Sequence, residues 1–215
     1  EQKDDWSFRR SKWFEYVGNE CKNVSENAGL LDMTAFAKCQ ISGPGAYDWL
    51  DHIVANRLPQ TPGRINLCHA LNKNGGVRSE FTILRNEDSS FYLVSAGALE
   101  RFDHDYLIKN LPADGSVRYD HLTNQTGVIV IAGPKARLLM ERVSEADFSN
   151  EAFPWLSAKR INVGLAECIA ARINFVGELG WEIHHPIEMQ NHVFDLLIER
   201  GKTLALVGES GSGKS

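Results

Sequence analysis

Two short stretches set a carboxylate beside glycines in otherwise strand-forming sequence, an arrangement suited to a flat, hydrogen-bonding ligand. In residues 171–182, Gly177 and Gly180 flank Glu178, so the backbone can turn sharply and a planar group can approach closely. A carboxylate accepts two parallel N–H bonds, which fits Glu178 to grip an amino-heterocycle by a ring N–H and an exocyclic amine. Phe175 or Trp181 supplies a ring to stack on it. A hairpin turn carrying an exposed acid is the other reading, and the pattern leaves both open. In residues 72–84, Gly75 and Gly76 turn into a strand whose alternation puts Ser79, Phe81 and Ile83 on one face and Arg78, Glu80 and Thr82 on the other. On a solvent face Glu80 is an ordinary surface glutamate; in a cleft it is a charge stabiliser or proton handler.

Other chemistries find little support. There is no G-x-S-x-G elbow, H-E-x-x-H pair or G-x-G-x-x-G fingerprint. His184 and His185 are adjacent, and neighbouring strand residues point to opposite faces, so the expectation is one packed and one solvated histidine rather than a metal pair. Cys21, Cys39, Cys68 and Cys168 are scattered with no C-x-x-C pair, which argues against a zinc knuckle and for a reducing compartment. Gly208 to Ser215 satisfies G-x-x-x-x-G-K-S, the phosphate-binding loop. That loop works with the N-terminus of a following helix, for which no residues remain, so the expectation is a disordered tail.

The elements that must hold these residues form a repeat. Ala46, Trp49, Leu50, Ile53 and Val54 step along one helical face after a strand-like run at 37–42 and the pair Gly43-Pro44. At an offset of 90 residues the pattern returns: a buried-strand run at 128–132, Gly133-Pro134, then Ala136, Leu139, Met140 and Val143. Each helix is followed by two strands and a second helix. The strands are expected at 77–85 and 91–95, then at 166–175 and 181–185, and the helices at 98–110 and 187–200. These imply an α+β fold of two similar halves, each a mostly antiparallel sheet with packed helices, and disfavour a doubly wound parallel sheet. The expected division is a lead-in at 1–28, halves at 29–115 and 116–201, and an unrelated tail at 202–215. Concave ligand sites often form where two such units meet.

Composition bounds the partners. With 23 basic and 28 acidic residues the net charge is −5, so no electrostatic pull toward nucleic acid or an anionic membrane is expected. Apolar runs of about five residues fall far short of the roughly 20 that span a bilayer. With 43% hydrophobic and 24% charged residues the chain is globular in composition. It opens at Glu1 rather than Met, as a mature or excised piece would.

Four segments, residues 29–36, 72–82, 133–137 and 177–182, occur in the order and spacing of a known family. Over residues 13–201 the sequence resembles the folate-binding module of the glycine-cleavage T-protein (aminomethyltransferase) family, and looks most like the C-terminal half of dimethylglycine and sarcosine dehydrogenases; Trp13, Phe14 and His69 lean to that branch. The resemblance implies tetrahydrofolate as acceptor of a one-carbon unit from an aminomethyl or iminium donor, giving 5,10-methylenetetrahydrofolate, with FAD confined to a linked flavin domain. It puts Glu178 at the pterin edge, with Phe175, Gly177, Arg172 and Ser95 among the folate-binding residues. It puts Glu80 where the family usually has the aspartate near the reacting nitrogens, able to stabilise charge on the iminium. Phe175-Val176 replaces the family's Tyr-Thr, Ser95 a common asparagine and Leu67 a frequent tyrosine. The family's C-terminal β-barrel does not follow residue 201, and the apolar surface it covers is expected to drive homo-oligomerisation or leave marginal stability. The last residues resemble the phosphate-loop start of a peptide-type ABC transporter ATPase. The implied partners are folate, a small amine donor and a flavin dehydrogenase domain. The implied compartment is a bacterial cytoplasm or a mitochondrial matrix.

Overall fold

The structure, a computed structural model, describes residues 8–173, 175–201 and 206–207. Helix α1 (Phe14–Glu26), with no buried residue, leads into β1 (Ala28–Asp32). The first half then runs β2 (Ala37–Ser42), α2 (Ala46–Ile53), β3 (Ile65–Leu71), β4 (Val77–Glu87), β5 (Ser90–Ser95) and α3 (Glu100–Lys109). The second runs β6 (Arg118–His121), β7 (Thr126–Ala132), α4 (Ala136–Val143), β8 (Ala158–Val163), β9 (Ala166–Ala171), β10 (Gly180–Pro186) and α5 (Gln190–Gly201), before the short β11 (Leu206–Val207). The phosphate-loop string at 208–215 and residues 202–205 before it lie outside the described residues.

Two sheets result, ordered β3-β4-β5-β2-β6 and β11-β1-β7-β10-β9-β8. Every pairing is antiparallel except β1 with β11. The halves are related as the 90-residue offset predicts, with one refinement: β1 pairs with β7 and β6 with β2, so each half gives its first strand to the other half's sheet.

Three apolar layers make a helix–sheet–sheet–helix stack. Leu50, Ile53 and Leu107 of α2 and α3 pack on Cys68, Phe81, Ile83, Phe91 and Ile41 of the first sheet. Leu139, Met140, Val193 and Leu197 of α4 and α5 pack on Ile129, Ile131, Trp181 and Ile183 of the second. Between the sheets lie Ile65, Leu84, Tyr92 and Val94 from one side and Ala158 and Ala171 from the other. Strand β7 is covered on both faces, which is why residues 128–132 read as an unbroken apolar run.

The two Gly-Pro turns share one geometry. Gly43 and Gly133 sit at φ +117° and +130°, and each carbonyl accepts the backbone N–H three residues on, from Ala46 and Ala136, at 3.0 Å. A Cβ at either would meet a backbone oxygen, Ser116 O at 2.4 Å or Asn27 O at 2.5 Å. Only glycine allows both the dihedral and the approach.

Three expectations are corrected. Each helix of the repeat is followed by three strands, not two, since β3 and β8 precede the expected pairs. Strand β9 ends at Ala171 and does not run to Phe175; Gly180 and Trp181 of β10 pair with Ala132 and Ile131 of β7, with no β9 partner opposite them, so the chain leaves the sheet and 172–179 is a long connection. His184 and His185 are both buried, because this sheet is covered on both faces: His184 meets Tyr92 between the sheets, and His185 meets Gln190 at the start of α5.

Candidate functional site

The connection 172–179 presents a ring and a carboxylate on open backbone. Phe175 is 91% exposed, Val176 is exposed and Glu178 half-buried. Gly177, at φ +79°, has no atom within 4 Å of where a Cβ would stand. This is the space a planar heterocycle needs, with a ring to stack on and an acceptor pair at its edge. Trp181 takes no part in it. Its side chain is fully buried, with Phe148 and Phe153 set edge-on to it at 5.3 and 6.0 Å between centroids, so Trp181 is removed as the alternative stacking ring: alternation from buried Gly180 turns it into the helix-side core.

Arg172 fastens the base of this connection. Its guanidinium donates to Phe153 O and, at 2.8 Å, to Asn150 Oδ1, which also accepts from Arg137 at 2.7 Å. Desolvation, and then the Arg137 charge, hold the Arg172 guanidinium below its ordinary value. Two forks on one amide oxygen tie α4, the 147–154 loop and the end of β9 together.

Glu80 stands in the middle of the β3–β4 hairpin, and the alternation holds. Ser79 is buried with its Oγ donating to Asp103 at 2.6 Å, Phe81 and Ile83 are in the core, and the Glu80 side chain is 60% exposed. Directly across the ladder is His69, whose Nε2 lies 2.9 Å from Glu80 Oε2. Its Nδ1 lies 3.2 Å from Asn56 Oδ1, and Asn56 Oδ1 also accepts the His69 backbone N–H at 2.9 Å. Residue types alone did not single out this trio. A regular ladder from the turn at 72–76 would set residue 69 opposite residue 79; a one-residue shift between Ala70 and Leu71 sets it opposite Glu80, and no local signal in the sequence marks that shift.

The two segments leave one inter-sheet cavity of about 10 Å³. Thr82, two residues after Glu80 and on its face, lines that cavity, as does Ile173, two residues before Phe175. A cavity of this size holds about one water. Ser95 is not brought to this cavity. By alternation it shares the helix-side face of Leu93, and it lines a separate 20 Å³ cavity with Lys38, Glu100, Asp103, His121 and Thr123.

A second polar group, also missed from sequence, bridges the sheets. Tyr92 Oη is 3.0 Å from His184 Nδ1, and His184 Nε2 is 3.2 Å from Glu182 Oε2, all three side chains buried. Burial, then the Glu182 charge, push the Tyr92 phenol well above its ordinary value. The signal available was the alternation of Glu182 with His184 on one strand face. Tyr92 and His184 also border a cleft of about 580 Å³ on the far side of the interface. Among the described residues no three His, Cys, Asp or Glu side chains are grouped to hold a metal ion, and no helix is long and apolar enough to cross a membrane.

A double-sheet sandwich with helices outside carries an exposed ring-and-carboxylate turn in one half and a strand-borne acid in the other. The chain belongs to the family described as the GCVT N-terminal domain, matched over residues 3–209. It is 33% identical over 197 residues to "Dimethylglycine dehydrogenase, mitochondrial" of Mus musculus, covering 91% of this chain and 23% of that protein. To an aminomethyltransferase of Thermoanaerobacter sp. (strain X514) it is 25% identical over 194 residues, covering 90% of this chain and 52% of that protein. The crystal structure of the glycine cleavage system aminomethyltransferase T from Bartonella henselae aligns with a TM-score of 0.74 at 20% identity, over 88% of this chain and 50% of that one, a likeness of fold. The chain thus spans under a quarter of the first relative's length and about half of the second's.

Proposed function

We propose that this chain binds tetrahydrofolate and lets it accept a one-carbon unit from an aminomethyl or iminium donor, such as oxidised dimethylglycine or sarcosine, giving 5,10-methylenetetrahydrofolate. The observation that carries the reading is the 175–178 turn, where an exposed ring, open space over a glycine and a carboxylate acceptor lie within four residues. Glu178 holds the pterin edge, Phe175 stacks on the ring, and Gly177 leaves the approach open. Arg172 acts through the connection it fastens. Glu80 carries the charge and proton work beside the reacting nitrogens. Ser95, walled off in its own cavity, belongs to the support of the first sheet. In the dehydrogenase-type relatives the donor is made by flavin chemistry, so the iminium reaches this module from a linked flavin domain, in a mitochondrial matrix or a bacterial cytoplasm.

A calorimetric titration of the chain with tetrahydrofolate, repeated on Glu178→Ala, tests this. The expected outcome is binding that weakens tenfold or more in the variant, a loss of about 1.4 kcal/mol. No binding by the parent chain, or equal binding by both, would sink the reading. Binding without methylene transfer would select a folate-binding module without catalysis, a second reading favoured by the 60% exposure of Glu80.

A further inference from the structure

The chemistry of the Asn56–His69–Glu80 trio goes further than its geometry first suggests. The Asn56 atom beside His69 accepts a backbone N–H, and a backbone N–H only donates, so that atom is the amide oxygen. The same oxygen lies 3.2 Å from His69 Nδ1 and cannot donate, so a hydrogen bond there needs the hydrogen on Nδ1. The 2.9 Å contact of Nε2 with a Glu80 carboxylate oxygen likewise needs a hydrogen between them. A neutral imidazole carries one hydrogen and meets one of these acceptors; meeting both takes one more proton, held on the imidazole or on the carboxyl. Arg78, the neighbouring cation on the strand, is turned onto the rings of Phe102 and Tyr106 at 4.1 and 4.4 Å. Among the described residues, no other charged side chain is bonded to either partner.

We propose that Asn56, His69 and Glu80 form one acid–base unit, in which Asn56 fixes the Nδ1–H tautomer of His69 and so makes Glu80 a proton donor as well as an acceptor. The proposal rests on the folate reading for its substrate. Once a folate nitrogen has attacked the iminium carbon, a C–N bond has formed, the C=N pair has returned to the donor nitrogen, and the folate nitrogen is an ammonium. Glu80 gives the shared proton to the donor nitrogen, which leaves as a neutral amine with the electrons of its C–N bond. In the same exchange Glu80 takes the proton that the folate ammonium loses, and the nitrogen lone pair so freed makes the new C=N bond. The unit ends with the proton it began with. Closure by the second folate nitrogen releases one proton to solvent, which balances the whole. Glu80 is the catalytic residue; His69 and Asn56 are positioning residues.

The first test needs no folate. In the full chain labelled with nitrogen-15 histidine, NMR of the imidazole nitrogens is expected to show the neutral form of His69 protonated on Nδ1, and Asn56→Ala is expected to shift it to Nε2–H. A neutral Nε2–H form in the parent chain overturns the proposal. The second test separates binding from chemistry: formaldehyde with a secondary amine supplies the iminium, and methylene transfer above the uncatalysed rate is followed. Asn56→Ala and His69→Gln are expected to keep tetrahydrofolate affinity within about threefold and to lower the transfer rate at saturation tenfold or more, general acid–base assistance being typically worth about 10²–10⁴-fold. Unchanged transfer in both variants overturns the unit while leaving the folate reading standing. Failure of the parent chain to bind tetrahydrofolate overturns the folate reading and the delivery step with it, whatever tautomer is seen.

Discussion

Phe175 places a large ring almost wholly in water, at 91% exposure, where it adds nothing to folding. On the folate reading, that ring serves the ligand rather than the fold. Phe175→Ala is therefore expected to leave the melting temperature unchanged while tetrahydrofolate affinity falls roughly five- to a hundredfold, the range of about 1–3 kcal/mol that base-like rings gain by stacking on an aromatic; differential scanning calorimetry beside titration calorimetry checks both. A drop in stability equal to the drop in affinity would mean that the ring packs on protein. The placement of Glu178 on a turn and of Glu80 on an outward strand face was legible because glycines beside strand residues are a local signal. Trp181 was misjudged and His69 passed over for the opposite reason: burial of one and partnership of the other depend on β10 lying between two covered faces and on the β3–β4 register, neither of which a window of sequence contains.

At the level of elements, the clearest sequence signal was the pair of Gly-Pro turns at a spacing of 90 residues, and both are held by the same physical demand. Gly133 combines φ +130° with a Cβ position 2.5 Å from Asn27 O and 2.6 Å from Val24 O. Gly133→Ala adds backbone strain to a clash with two immovable carbonyls, and is expected to lower unfolding free energy by at least about 2 kcal/mol in urea titration. A change under about 0.5 kcal/mol would show that the end of α1 gives way instead. The expected strands and helices were legible because apolar periodicity is local, but β3, β6 and β8 were not read as strands. The length of β9 was not, since alternation continues past Ala171 while the hydrogen-bonding partner does not. Nor was the assignment of β1 and β6 to sheets visible, because both are short runs whose partners are set by tertiary packing.

The whole molecule carries an alkaline weakness. Burial pushes the thiols of Cys39 to about 12 and of Cys68 and Cys168 to about 11, from 9.0. An acid whose folded value is raised contributes stability that is complete below its unfolded value and is lost as pH climbs toward the folded one. Lys38, lowered to about 8 from 10.5 chiefly by desolvation, works the other way across 8 to 10.5, but three thiols and the raised phenols of Tyr92 and Tyr119 outnumber it. The melting temperature is expected to fall between pH 9 and 11, and Cys68→Ala and Cys168→Ala each to flatten that fall; a flat or rising profile over the same range counts against it. The exchange of first strands has a different kind of consequence. A half of this chain made as a separate polypeptide would own one strand with no sheet to join and one sheet with a missing border. The halves are clasped hands rather than stacked bricks. Severing the chain between α3 and β6 would leave the grip intact, and loosening either sheet must loosen both, so the ring-bearing turn of one half and the acid–base hairpin of the other stand or fall as a single cooperative unit.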